Sequence, residues 1–302
     1  MSGYRLTPRL SRGIRPTDMK PLVEKPMTFD DPMQHLRNAR TVTISTELFE
    51  KMRVPEKAAE PRKRFGNPSP IGVVGIVITV TPLSFTLMGV AGAGGSPSAG
   101  IGTFYFFGGM LQIFTALMEW FLGSTFPSVV FATYGSFFLV FGASLTPGLA
   151  AFAPYAPAGA DPALGLESKN FNANTAFIFL WMTILTLLFL VCSLRTNAVF
   201  VVVFAALTAT LSALTASYFL LLAAAPIREG GTVILTAAAA ASKAQAASFS
   251  VGAGVCALIA SLAAWYLLAS ILFETLDFSF KLPVGDLSAW IRAGSHDAGH
   301  TV

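Results

Sequence analysis

The chain has 302 residues, of which 54% are hydrophobic and only 12% charged, and its mean hydropathy is +0.64. An ordinary soluble domain carries roughly 25% charged residues, so the composition excludes that class and indicates an integral membrane protein. The charge is uneven, because 14 of the 20 Lys and Arg residues and 8 of the 16 Asp and Glu residues precede residue 67.

Residues 1–66 form a basic, proline-rich tail with no sustained periodicity, which we predict to be mostly irregular and cytoplasmic. Within it, residues 41–53 match a short amphipathic helix at a membrane surface. The first 17 residues carry four arginines and no acid, which resembles an organelle-targeting peptide, although two prolines weaken the required helix. The tail lacks the aromatic pattern of a nucleic-acid-binding segment, so we interpret its charge as a positive-inside signal beside anionic lipid.

Six apolar runs follow, and each is long enough to cross a bilayer core of about 30 Å at about 1.5 Å per residue. They cover residues 71–90, 101–122, 127–145, 175–194, 198–222 and 249–273. The sequence therefore predicts an all-α polytopic membrane protein with a six-helix transmembrane domain at 67–275 and a cytoplasmic tail at 276–302. Two long loops are expected, at 146–174 and 223–247.

An even number of spans places both termini on one side of the membrane. The tails and the turns on their side hold 17 Lys and Arg residues, and the segments on the other side hold three. Positive charge favours the cytoplasmic side, so we predict that both termini are cytoplasmic.

The segment before the first span, NPSPIG at 67–72, has two prolines in three residues. Proline lacks an N–H group, so the segment reads as a helix start or a broken helix, which Asn67 can cap and where Gly72 allows close approach. Before the fourth span, Asn170, Asn172 and Asn174 are expected to cap the next helix.

Polar residues inside the spans must face away from lipid. The second span carries a stripe with a spacing of three or four residues, formed by Tyr105, Gly108, Gln112, Thr115 and Glu119. Gln112 fits a pore or a packing hydrogen bond, and Glu119 fits a structural role near the inner interface, where it can reach water. In the fifth span, Thr208, Ser212 and Thr215 share a face, and each can bond a carbonyl of its own helix.

The spans lack the groups of residues that catalysis or metal binding requires. They contain no Lys, Arg or His, and the chain has no nucleotide-binding G-x-x-x-x-G-K-[ST] loop. We therefore predict no catalytic residue, no metal and no cofactor, and the sequence does not indicate an enzyme. A neutral lining of hydroxyls, amides and aromatics suits a small solute that binds through few hydrogen bonds.

Several motifs resemble the acetate/succinate transporter family of bacteria and fungi. NPSPIGV at 67–73 is similar to the family signature NPAPLGL, and YFFGGMLQIF at 105–114 to its FYGGxxQxxAG segment. FATYGSFF at 131–138 is similar to FxSYGSFW, and LPVG at 282–285 to the motif after the last helix of fungal members. The resemblance covers about residues 65–288.

This resemblance implies a hexameric ring in which each six-helix protomer has its own path for acetate. It also implies a constriction of an aromatic, a tyrosine and a leucine, which correspond to Ile76, Tyr134 and Leu207. Ile76 departs from the aromatic, which loosens the constriction or alters its selectivity. The hydroxyl and amide side chains that we expect to contact the solute are Asn67, Gln112, Tyr134 and Thr208.

The predicted function is transport of acetate and related short-chain carboxylates, as a channel or a proton-coupled transporter, in the plasma membrane or an organelle membrane. One alternative is export of ammonia or ammonium, which the 26 phenylalanines permit through cation–π contacts. Another is a non-transporting receptor or a structural subunit of a larger assembly, which the long basic tail favours.

Overall fold

All six expected membrane spans are helices in the structure, a computed structural model that describes residues 65–149, 151–224, 227–229, 232–234 and 236–287. Lipid offers no partner for backbone N–H and C=O groups, so each span satisfies them within its own helix. The helices are α1 (Ser69–Met88), α2 (Pro97–Phe121), α3 (Thr125–Leu145), α4 (Lys169–Ser193), α5 (Ala198–Ala223) and α6 (Ala237–Thr275). Each is long and apolar enough to cross a membrane, so the predicted all-α class with six spans is confirmed. The possible helix at 41–53 and the targeting segment lie outside the described residues.

The proline-rich segment starts α1 as its sequence requires. The Ser69 N–H donates to Asn67 Oδ1 at 3.1 Å, and the Ile71 N–H donates to the Pro68 carbonyl at 3.0 Å. Pro70 lies in the first turn, where the missing N–H costs nothing. α1 ends at Gly89, whose φ of 73° places it in the left-handed conformation that glycine adopts at helix ends.

Pro82 lies inside α1 and is surrounded by hydroxyl groups. Ser84 Oγ donates to the Thr81 carbonyl at 2.7 Å, and Thr86 Oγ1 donates to the Pro82 carbonyl at 3.1 Å. From α6, Trp265 Nε1 donates to Thr81 Oγ1 at 3.2 Å. Side chains thus supply polar contacts where proline interrupts the helical ladder, and they tie α1 to α6.

The middle of α2 is π-helical rather than α-helical. The π-helix spans Phe104–Leu111, between a short α-helical turn and the α-helix Gln112–Phe121. This part of α2 lies so close to α1 that a Cβ atom at Gly75 would stand 2.5 Å from the Phe107 carbonyl oxygen. The two backbones touch, and only glycine fits at this position of α1.

The second long loop predicted from the sequence is shorter than expected. α6 begins at Ala237 and runs for 39 residues, so much of the segment expected as a loop at 223–247 is helix. Alanine has the highest helix propensity, and the side chain of Thr236 accepts a hydrogen bond from the Ala239 N–H as an N-cap. Two short strands, Ile227–Glu229 and Thr232–Ile234, pair antiparallel before it. At about 1.5 Å per residue α6 is about 58 Å long, so it exceeds a bilayer core of about 30 Å.

The start of α4 also differs from the expectation. The helix begins at Lys169, so the asparagines expected as caps lie within its first two turns. The Asn172 side chain donates backwards to the Leu166 carbonyl at 3.2 Å and fastens the preceding 3-10 turn, Pro162–Glu167. The cap residue is Ser168 instead.

The six helices form two groups of three. α2 contacts both α1 and α3, and α5 contacts both α4 and α6, while α1 and α6 pack along each other and join the groups. α3 faces α4 and α5 through aromatic rings. Phe137 and Phe179 have centroids 5.8 Å apart, and Phe126 and Phe189 have centroids 6.1 Å apart. The space behind these rings holds the cavities described below.

The segment after α6 returns to the turn between α4 and α5. The Ala198 N–H donates to the Gly285 carbonyl at 2.8 Å, and the Leu287 N–H donates to the Thr196 carbonyl at 3.0 Å. Tyr266 of α6 donates its hydroxyl to the Pro283 carbonyl at 2.8 Å. Residues 282–287 therefore close the side of the protein on which α1 begins.

We predict that Gly75→Ala destabilises the protein by about 1–3 kcal/mol, because the new methyl group forces α1 and α2 apart. The melting temperature of the detergent-purified protein measures the effect. The matched control is Gly102→Ala in α2, where nothing lies within 4 Å of the new Cβ, and where the gain in helix propensity leaves stability equal or higher. Equal melting temperatures for Gly75→Ala and the wild type would contradict the close contact.

Candidate functional site

Two cavities lie between the helix groups, one toward each end of the bundle. The distal chamber, of about 220 Å³, lies toward the end of α1. Val80 and Leu87 of α1, Phe141 of α3, Leu221 of α5 and Ser250 of α6 are among the residues that line it. All six helices contribute to its wall, so it lies inside the bundle.

The proximal chamber, of about 240 Å³, lies toward the start of α1. Its wall includes Val73 of α1, Phe126 of α3, Phe200 of α5 and Leu267 of α6. Thr196, whose carbonyl accepts the hydrogen bond from Leu287, also lines it. The segment after α6 is thus bonded directly to the wall of this chamber.

Two side chains line both chambers, and these are Tyr134 of α3 and Leu207 of α5. Ile76 of α1 lines the proximal chamber and packs against two separate clusters of buried hydrophobic residues. The three residues that the resemblance places at a constriction therefore lie together where the chambers meet. Tyr134 and Leu207 form part of the wall of both chambers.

The Tyr134 hydroxyl has a fixed partner on α4. Its oxygen lies 2.9 Å from Thr186 Oγ1, and Thr186 Oγ1 is 2.8 Å from the Met182 carbonyl oxygen. A carbonyl only accepts, so Thr186 donates to Met182 and Tyr134 donates to Thr186. Both side chains are buried, with 6% and 0% of their surface exposed. The phenol proton of Tyr134 is therefore held within the protein rather than offered to a solute.

The other expected solute contacts do not line the two chambers. Asn67 is exposed at the start of α1, where it caps the helix. Thr208 donates to the Phe204 carbonyl of its own helix at 2.7 Å. Gln112 is fully buried between helices, and its Nε2 donates to the Gly108 carbonyl at 2.7 Å. Among the described residues, Gln112 Oε1 is a buried acceptor without a hydrogen bond.

Glu119 is fully buried, so the expectation that it reaches water is wrong. Ser69 Oγ donates to Glu119 Oε1 at 2.5 Å. The proline-rich start of α1 lies over the end of α2, and the serine of the motif meets the carboxylate. The structural role expected for Glu119 takes the form of a bond between these two helix ends.

Apart from Tyr134, the hydroxyl residues that line the distal chamber were not predicted from the sequence. They are Thr210, Ser217 and Tyr218 of α5 and Ser250 of α6. The face of α5 chosen from the sequence points elsewhere, and Ser212 is exposed. Leu207 could have indicated the correct face of α5, because residues three, four, seven and eleven positions after it lie on the same face of the helix. Thr210 and Tyr218 are two of these residues.

The walls of both chambers are neutral. No Lys, Arg, His, Asp or Glu is among the described residues that line them, and aromatic rings make up much of the surface. Across the described ranges, no three His, Cys, Asp or Glu side chains come together as a metal site requires. The arrangement offers hydroxyl groups and apolar walls to a small solute.

Comparisons with known proteins agree with this fold. The model of the GPR1/FUN34/yaaH family matches residues 49–289. Protein alcS of Aspergillus fumigatus is 40% identical over 256 residues, which cover 83% of this chain and 88% of that protein. Acetate permease A of Emericella nidulans is 31% identical over 148 residues, which cover 49% of this chain and 47% of that protein. The structure of the bacterial acetate channel SatP has the same fold, with a TM-score of 0.51 and 24% identity over 73% of this chain and 99% of that chain.

We predict that Thr186→Val destabilises the protein by about 1–3 kcal/mol, since it leaves the buried Tyr134 hydroxyl without an acceptor. Thermal unfolding in detergent measures the change. Thr183→Val is the matched control one turn earlier on α4, because the Phe179 carbonyl of its own helix is the only partner of Thr183 Oγ1 among the described residues. A loss of stability that is equal in the two variants would contradict the assigned hydrogen bond.

Proposed function

This chain belongs to the GPR1/FUN34/yaaH family, which is the acetate transporter family, and we propose that it carries acetate and related short-chain carboxylates across a membrane through the two chambers of each protomer. The observation that carries the proposal is the meeting of the two chambers at Tyr134 and Leu207. One path inside a single protomer then leads from one end of the bundle to the other. The relatives named for acetate support the choice of solute.

The size and chemistry of the chambers fit a small, partly hydrated acid. A water molecule occupies about 30 Å³ in the liquid, so each chamber has room for acetate and a few waters. The walls lack a fixed cation among the described residues, so the carboxylate binds weakly and leaves readily. Weak binding suits throughput, since conduction needs solute to leave as easily as it enters.

The constriction sets which solutes pass. At the level of Ile76, Tyr134 and Leu207, a solute has to lose water against apolar walls, which costs most for large or strongly hydrated ions. The cost of removing water is avoided when acetate carries a proton, because acetic acid is uncharged. Passage as the undissociated acid and proton-coupled passage therefore both fit the site. Asn67, Gln112 and Thr208 lie outside the chambers, and we propose that they act through the helix start, the α1–α2 contact and α5 rather than by touching the solute.

The same proposal extends to the assembly and its location. We place the protein in the plasma membrane as a homohexamer, with lipid around it and both termini cytoplasmic. The excess of Lys and Arg in the first 66 residues supports this orientation. The mass of the protein in detergent or in lipid nanodiscs tests the hexamer.

Uptake of labelled acetate into proteoliposomes, with and without an imposed pH gradient, tests the function. Uptake that needs the pH gradient indicates proton coupling, and uptake down the acetate gradient alone indicates a channel. Competition by propionate but not by methylammonium is expected. Competition by methylammonium alone would favour ammonium export, and no uptake by folded, inserted protein would favour the non-transporting role.

We predict that Leu207→Ala raises the ratio of butyrate flux to acetate flux several-fold, because the shorter side chain widens the meeting point of the chambers. Ile76→Phe restores the aromatic expected for the family and lowers the same ratio. Leu187→Ala is the control, since Leu187 is 49% exposed on α4 and lines neither chamber. Both flux ratios are measured in proteoliposomes. If neither variant changes the ratio, the constriction lies elsewhere.

A further inference from the structure

The face of α5 that lines the distal chamber ends in hydroxyl groups. From Leu207 to Leu221, every lining residue is three or four positions from another, as one face of a helix requires. Thr210 lies one turn from the constriction, and Ser217 and Tyr218 lie two turns further along, toward the distal end. Ser250 of α6 stands beside Ser217, with 2.9 Å between the two Oγ atoms.

Most of these hydroxyl protons already have an acceptor. Thr210 Oγ1 donates to the Ala206 carbonyl at 2.8 Å, and Ser217 Oγ donates to the Ala246 carbonyl at 2.8 Å. Since the Ser217 proton is taken, Ser250 is the donor between the two serines. None of the three can give its proton to a solute without first breaking a bond within the protein.

Tyr218 differs from the other hydroxyl residues of the chamber. Its ring stacks on Phe179, with centroids 5.2 Å apart and planes 24° apart, so the ring is held in place. Within the part of the chain that the structure describes, its hydroxyl makes no hydrogen bond. A phenol that lines a cavity and makes no hydrogen bond to the described residues is free to donate its proton to a molecule in that cavity.

We propose that Tyr218 binds the carboxylate of the transported acid in the distal chamber, as a docking site before the constriction; the inference rests on the proposed function. A carboxylate only accepts hydrogen bonds, and the Tyr218 O–H donates to one of its oxygens. Ser250 turns its hydroxyl from Ser217 toward the second oxygen, at the cost of one serine–serine bond. The alkyl end of the acid lies against the phenylalanine rings of α3 and α4.

This site explains why the constriction tyrosine does not need to bind the solute. The Tyr134 hydroxyl donates its hydrogen bond to Thr186, so its ring acts as an apolar wall where the chambers meet. Binding and selection are then separate along the path: hydroxyl donors hold the carboxylate in the distal chamber, and the constriction excludes by size and hydration.

Tyr218→Phe tests the site, because it removes one oxygen and keeps the ring stacked on Phe179. We expect the KM for acetate flux in proteoliposomes to rise about tenfold or more, with a maximal rate that changes by less than twofold, since one hydrogen bond to a charged group is lost. The melting temperature should stay equal to that of the wild type, because the phenol makes no hydrogen bond to any residue that the structure describes. Ser250→Ala is expected to raise KM by a smaller factor.

The control is Tyr105→Phe, which removes the hydroxyl of a tyrosine that bonds Thr146 and lines neither chamber. Its KM should equal that of the wild type. An unchanged KM in Tyr218→Phe, while the wild type transports acetate, would overturn the docking site and leave the proposed function intact. A lower melting temperature with an unchanged KM would assign Tyr218 a packing role, which also overturns it.

Equilibrium binding of labelled acetate to the purified protein separates the remaining outcomes. If the wild type neither transports nor binds acetate, the proposed function and the docking site fail together. If Tyr218→Phe weakens inhibition by methylammonium as much as it weakens acetate binding, the phenol oxygen serves as an acceptor for a cation, and the assignment to a carboxylate is wrong.

Discussion

The structure depends on the satisfaction of polar groups where no water is available. Inside the helices, hydroxyl side chains turn back to carbonyls of their own turn, as Thr115 does to Leu111 and Thr215 does to Leu211. These bonds let polar residues sit in apolar surroundings at little cost. Against this background the few groups with unused hydrogen-bonding capacity are informative, because each marks a place where the protein has left a position open for something else.

The same constraint separates the two tyrosines of the pathway. Both lie in apolar surroundings beside aromatic rings, and sequence alone gives no reason to treat them differently. Their hydroxyls differ, since that of Tyr134 bonds Thr186, whereas that of Tyr218 makes no hydrogen bond within the described ranges of the chain. A tyrosine at a narrow point can thus serve as a shaped wall, while a tyrosine in the wider chamber serves as a donor.

The number, class and order of the helices could be predicted because an apolar run of membrane length has only one stable form in lipid. The start of α6 was missed because Ala237 and the residues after it are less apolar than a membrane span, although their helix propensity is high. The resemblance predicted a constriction at Ile76, Tyr134 and Leu207, whereas neither it nor the sequence pattern pointed to Thr210 or Tyr218 as lining a chamber. Hydroxyl residues lie on more than one face of α5, so its sequence does not reveal which face lines a cavity. The contact of Gly75 with Phe107 lies at the π-helix. No pattern in the sequence indicated this π-helix.

That π-helix has a consequence for how α2 tolerates changes in length. A π-helical turn holds more residues than an α-helical one. It therefore accommodates an extra residue without changing the rotation of the helix that follows. If Phe104–Leu111 relaxed to a regular α-helix with all of its residues kept, the rest of α2 would rotate by about 100°. Gln112, Thr115 and Glu119 would then turn from their packed face toward lipid. The π-helical turn therefore sets how far the second half of α2 is rotated relative to the first half. It keeps the glycine-rich half against α1 and the polar half against its own partners.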